Sequence, residues 1–161
     1  MAMYFNLVAQ CGYEENNAEE MAEHFRDSVL RFRNGLTTRC RCWIQQDLKG
    51  YWWAIATPLG ASYGSCIEGD TYLLTSDEQY EQLRDLLYRQ LLSAPPFLCA
   101  SANWEIQDDY IFHQGNPMDE DYSFAEFDIL CGDLWNDLQR PIEYSFFKEG
   151  YVIKEDFSRL F

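Results

Sequence analysis

The stretch TTRCRCWIQQDLKGYWWAIATP, residues 37–58, holds two segments of β period around one turn. In the first, Thr38, Cys40, Cys42 and Ile44 share one side of an extended chain, and Arg39, Arg41, Trp43 and Gln45 share the other. The cause is the alternation of strand side chains between two faces. Asp-Leu-Lys-Gly at 47–50 supplies the turn. The second segment, residues 51–58, is apolar on both faces, which predicts a strand in the middle of a sheet.

Working outward, residues 3–11 alternate with Met3, Phe5, Leu7, Ala9 and Cys11 on one face, the pattern of a further strand. Residues 16–35 predict a helix. Asn17 is placed to cap it, Glu20 follows three residues on, and Met21, Phe25, Val29 and Phe32 recur at helical spacing up to Gly35. A second helix begins at Ser76, with Gln79 completing a capping box. Its stripe is Tyr80, Leu83, Leu87 and Leu91, and Pro95-Pro96 stops it. Residues 97–106 read as a fourth strand. The order strand, helix, strand, strand, helix, strand predicts an α+β fold: a ferredoxin-like βαββαβ core with an antiparallel sheet and both helices on one face.

Residues 107–161 predict a C-terminal helix and β-hairpin extension. A short strand at Tyr110–His113 leads through a turn to a helix starting after Ser123, with Glu126 closing its capping box. Phe127, Leu130, Leu134 and Leu138 mark its buried side, and a hairpin turns at Lys148-Glu149-Gly150. The expectation is one domain over 1–161, with 107–161 as an acidic, aromatic-rich extension packed on the 1–106 core.

The chain of 161 residues is long enough to bury a sizeable core, and at 47% hydrophobic it is composed like a globular protein. Its net charge of −15 works against non-specific attraction to nucleic acid or to an anionic membrane. No apolar run reaches the ~20 residues that span a bilayer. The N-terminal residues lack the pattern of a secretory signal, so a cytoplasmic location is expected. Six cysteines, at 11, 40, 42, 66, 99 and 131, are then expected to be reduced.

Specific chemistry finds little support in these residues. Cys40 and Cys42 fall on the apolar side of their strand, and no second close Cys or His pair completes a four-ligand metal site. His113 with Cys66 and an acid would resemble a thiol hydrolase in composition, without any local signature of one. The glycines at 60, 64 and 69 lack the Lys of a phosphate loop. Residues 118–128 lack the central Gly of a calcium loop. No catalytic residue, metal or cofactor is therefore assigned.

Charge is the most informative feature. Residues 26–41 carry Arg26, Arg31, Arg33, Arg39 and Arg41 against the single acid Asp27. Residues 104–137 contain ten acids and no Lys or Arg, threaded with aromatics. Carboxylates beside aromatic anchors suit an interface with a basic protein. The expected partner-binding residues are Trp104, Asp108, Asp109, Tyr110, Asp119, Glu120, Asp121, Tyr122 and Asp128, and Arg39, Arg41 and Trp43 are expected on an open sheet face. By physical type this is the layout of an immunity protein, an antitoxin or another inhibitor of a basic toxin or nuclease. The alternatives are an assembly subunit that forms a homodimer through the aromatic sheet face, and a small-ligand or thiol enzyme using the 60–70 loop.

Overall fold

The computed structural model describes residues 3–61, 74, 76–106, 111 and 124–158. Among these, a single antiparallel sheet of eight strands carries the chain, with four helices, in an α+β arrangement. The strands are β1 (Phe5–Gln10), β2 (Val29–Arg31), β3 (Thr37–Gln46), β4 (Trp52–Pro58), β5 (Cys99–Trp104), β6 (Ile129–Cys131), β7 (Tyr144–Lys148) and β8 (Tyr151–Lys154). Their order across the sheet is β2-β3-β4-β1-β5-β6-β8-β7. The helices are α1 (Glu15–Arg26), α2 (Asp77–Gln90), α3 (Gly132–Asp137) and α4 (Glu155–Ser158). No described helix is long and apolar enough to cross a membrane.

Every residue of β1 is buried, and β4 is buried after Trp52. Leu7 stands opposite Ala56 on one side and Ala102 on the other. Those residues belong to a core that α1 and α2 cover with Met21, Phe25, Leu83 and Leu87. Val8, Trp53 and Ile55 belong to a second core on the other face, with Phe127, Leu130, Ile106 and Ile111. Leu134, Trp135 and Leu138, in and just after α3, pack against it. The C-terminal third therefore does two things. Its strands widen the sheet, and its helix and loops cover the face that α1 and α2 leave bare.

Several expected elements take other forms. The first helix starts with Glu14 as its N-cap rather than Asn17, with no side-chain cap bond, and it ends at Arg26. The Asn17 amide already donates to the Glu14 carbonyl inside the first turn, at 3.2 Å. At the other end, the Ser28 hydroxyl donates to the carbonyl of His24 at 2.7 Å. Residues 29–31 then leave as β2, with Leu30 buried between exposed Val29 and Arg31. Phe25, Val29 and Phe32 fit a helical stripe, yet Leu30 and Phe32 also fit a period of two. Pairing of Leu30 with Thr38 on β3 decides between them. Gly35, at φ 88°, sits in the turn between β2 and β3 and not at a helix end.

The expected third helix is also divided. A 3-10 turn at Phe124–Glu126 precedes β6, and only Gly132–Asp137 is helical. Ile129–Cys131 is drawn into the sheet between β5 and β8. Phe127, Leu130, Leu134 and Leu138 still meet in the second core, although one helix does not carry them. The start at Ser123 and the expected strand at Tyr110–His113 lie outside the described residues, except for Ile111. The capping box of α2 forms as expected. The Ser76 hydroxyl accepts from the Gln79 amide at 3.3 Å, and the Gln79 side chain accepts from the Ser76 amide at 3.2 Å. The β7–β8 hairpin forms too, with an irregularity between Phe146 and Lys148 and Gly150 at φ 83° in its turn.

Asp47 holds the β3–β4 turn in place. One carboxylate oxygen accepts from the amides of Lys49 and Tyr51 at 2.9 and 3.0 Å, and the other accepts from the indole of Trp53 at 2.8 Å. Asp47 and Trp53 are both buried, so these bonds are shielded from water. Asp47→Ala is expected to destabilise the fold by ~3 kcal/mol in urea unfolding. Leu48→Ala, in the same turn but 73% exposed, should change stability by no more than ~0.5 kcal/mol.

Candidate functional site

Strand β3 sorts its side chains as the alternation requires. Cys40 is buried in the helix-side core, and Cys42 and Ile44 pack partly buried against it. Burial pushes the Cys42 thiol up to about 12, with Arg26 opposing the shift. Burial likewise pushes Cys11 up to about 12. Cys40 is raised too, by burial first and by Cys42 second. Such groups stay protonated at neutral pH, and the thiolate is the form that attacks or binds metal. Among the described residues no three His, Cys, Asp or Glu side chains gather as a metal site. Cys66 and His113 lie outside the described residues, as does most of the 60–70 loop. His24 has its Nε2 2.8 Å from the Gln90 carbonyl, joining the ends of α1 and α2.

Arg39 and Arg41 are exposed on the second face, and Trp43 is half-buried against the second core. Val29 stands opposite Arg39, and Arg31 opposite Thr37. Val29, Arg31, Arg39 and Arg41 thus share one exposed patch at the β2 end of that face. No salt bridge joins Arg31, Arg39 or Arg41 to another described residue. The middle of the face, around Trp53 and Ile55, is occupied by the chain's own residues. Of the expected open face, only the arginine end is exposed.

Of the nine expected partner-binding residues, Trp104 and Asp128 can be placed. Asp108, Asp109, Tyr110, Asp119, Glu120, Asp121 and Tyr122 lie outside the described residues. Trp104 is half-buried between Phe5 and Tyr80, with ring centroids 5.5 and 4.7 Å away. Asp128 occupies a seam where β5 and β6 part company after Ala100 and Ile129. Its carboxylate accepts from the Tyr88 hydroxyl and stands 3.7 Å from Lys154 Nζ. The Tyr88 oxygen in turn accepts from the Ala102 amide at 3.0 Å, and the Ser101 hydroxyl accepts from the Asp128 amide at 2.7 Å. Side chains therefore satisfy backbone groups that a ladder would otherwise pair. Trp104 and Asp128 both line a cavity of about 100 Å³ there, with Ser101, Asn103 and Glu126. Burial raises the Asp128 carboxyl above its ordinary 3.8, against the pull of Tyr88, Lys154 and Arg84.

A larger groove of about 450 Å³ opens between α2 and α4. Glu81 and Asp85, one turn apart on α2, face Glu155 and Asp156 at the start of α4. Arg84 also lines it, but its Nε donates to the Ala102 carbonyl at 3.0 Å and its guanidinium lies 5.8 Å from the Phe157 ring centre. Four carboxylates thus surround one arginine that is already engaged with the sheet. This groove escaped the reading of the sequence. The i, i+4 acids of α2 were visible there, as was the Glu155-Asp156 pair, but nothing local joins two pairs so far apart in the chain.

A third acidic region lies at the β7 end of the sheet. Asp133 and Asp137 on α3, and Glu143 and Glu149 on either side of β7, are exposed there, beside the exposed Arg140. Among them Ile142 is 91% exposed and Phe146 75% exposed. Comparison with protein-family models, with curated proteins and with solved structures finds no match.

Two measurements check this chemistry. At pH 8, site-resolved alkylation should label Cys42 at least ~100-fold more slowly than an unhindered thiol of ordinary pKa, because so little of it is thiolate. For Asp128, the folded state holds the proton more tightly than the unfolded chain. The stabilisation this gives is present below 3.8 and is lost as pH rises through the raised folded value. Wild type should therefore lose stability relative to Asp128→Asn as pH rises from 3.8, read from urea midpoints across a pH series.

Proposed function

We propose that the chain is an acidic protein-binding module that neutralises a basic protein partner, such as a toxin or nuclease, in the manner of an immunity protein, antitoxin or other inhibitor. The observation that carries this reading is the groove between α2 and α4. Glu81 and Asp156, both exposed, flank a space of about 450 Å³ that Asp85 and Glu155 also line, suited to a lysine or arginine side chain of a partner. Phe157 on its wall supplies apolar contact for the stem of that side chain. Asp108, Asp109, Tyr110, Asp119, Glu120, Asp121 and Tyr122 complete the proposed interface with Trp104, and the inward-held Asp128 meets it at the cavity that Trp104 also lines. The net charge of −15 would speed the approach of a basic partner. A cytoplasmic location goes with this reading, since the described cysteines are all free. The inner strands, in the order β3-β4-β1-β5 with α1 and α2 on one face, support a ferredoxin-like core, widened by β2 at one edge and by β6, β8 and β7 at the other.

The test begins with affinity capture on the full chain, followed by association kinetics with the purified captured protein. The partner should be basic, and its association should slow as salt rises. Glu81→Lys with Asp156→Lys should slow association by about ten-fold or more at low salt, and so should Lys at Asp119, Glu120 and Asp121 together. Binding that survives both sets unchanged overturns the reading.

A further inference from the structure

We infer that the two edges of the sheet form a complementary pair, through which a second copy of this chain docks head to tail. At one edge, Arg31, Arg39 and Arg41 are exposed beside Val29, which is 42% exposed. No salt bridge joins these arginines to another described residue. At the other edge, Asp133, Asp137, Glu143 and Glu149 are exposed around Ile142 and Phe146. Arg140 and Lys148 also lie at this second edge, but Arg140 donates to Asn136 and stacks on Trp135, and Lys148 donates to the Leu91 carbonyl. Each edge thus combines an excess of one charge with exposed apolar surface, and the two excesses are opposite in sign.

A single copy cannot bring these edges together. They terminate a sheet of eight strands at β2 and β7, which sets them roughly 30 Å apart at ~4.8 Å per strand spacing. A second copy meets no such limit. The arginine patch also has a specific chemical demand, because it sits on a protein whose net charge is −15. That charge disfavours nucleic acid as the occupant, whereas a carboxylate-bearing protein surface fits the patch. The chain itself supplies one, with apolar side chains at its centre. The contact joins two different patches, so it is heterologous and generates a ring or an open chain of copies rather than a two-fold dimer.

Two copies of like net charge repel each other at long range. Screening confines that repulsion to about 8 Å at physiological salt, while contacts between the edges act at shorter distance. Association should therefore be strongest at intermediate ionic strength, weakened by repulsion at very low salt and by loss of the ion pairs at high salt.

Sedimentation velocity on the full chain tests the inference, with no other protein present, so the outcome is independent of the basic-partner reading. Wild type is expected to form larger species as concentration rises. Arg39→Glu with Arg41→Glu should abolish them, and Asp137→Arg with Glu143→Arg should abolish them separately. Mixing the two variants should restore assembly, because each retains the edge that the other has lost. Circular dichroism matching wild type would establish that both variants are folded. A wild-type chain that stays monomeric at every concentration and salt overturns the inference. So does assembly that survives either reversal, or a mixture of folded variants that remains monomeric.

Discussion

Burial of Trp53 and Ile55 on one face of β4, and of Ala54 and Ala56 on the other, obliges the chain to supply apolar cover twice. A sheet buried on both sides needs two covering layers. The first comes from α1 and α2, whose amphipathic stripes are strong enough to be read in isolation. The second is assembled from Ile106, Ile111, Phe127, Leu134 and Leu138, which no single element carries. Asp47 ties this constraint to the turn chemistry, since the carboxylate that orders the β3–β4 turn also accepts the bond of the buried Trp53 indole.

The polar interior follows from the same geometry. Where β5 and β6 diverge, backbone groups lose their ladder partners and must find others. Tyr88, Ser101 and Arg84 supply them. The Tyr88 hydroxyl, pushed well above its usual value by burial and then by Asp128, remains a donor to that carboxylate. Asp128 is consequently held from within the chain, at a seam between two cores, while Glu81 and Asp156 at the groove and Glu143 and Glu149 at the β7 end are exposed. The separation of exposed charge among the described residues is a property of the tertiary arrangement, since Arg31, Arg39 and Arg41 lie on β2 and β3 while Asp133 and Asp137 lie on α3, beside β6 and β8.

Much of the architecture was legible in local patterns. The alternation of 37–46, the two-sided apolar run of 51–58, the Ser76–Gln79 capping box and the 148–150 hairpin turn all correspond to observed elements. Two segments were ambiguous for a physical reason. Residues 25–32 satisfy both a helical period and a period of two, and residues 127–138 carry a helical stripe whose first half is extended. In each case a neighbouring strand offers backbone hydrogen bonds, and that pairing overrides local propensity. The site was less legible than the fold. The segregation of charge was plain, but the groove brings Glu81 and Asp85 against Glu155 and Asp156, and contact between distant segments leaves no local signature.

The sequence by itself determined which side chains share a face. Period-two and period-3.6 patterns set that before any folding, and so Cys40 and Cys42 turn inward while Arg39 and Arg41 turn outward. Only the tertiary structure decided what lies against each face. Pairing of β6, β7 and β8 with the sheet, cover of Trp53 by the C-terminal third, and the meeting of α2 with α4 depend on contacts between residues far apart in the chain. Such contacts are selected by the competition among all possible pairings at once, and no stretch of the chain carries that information alone.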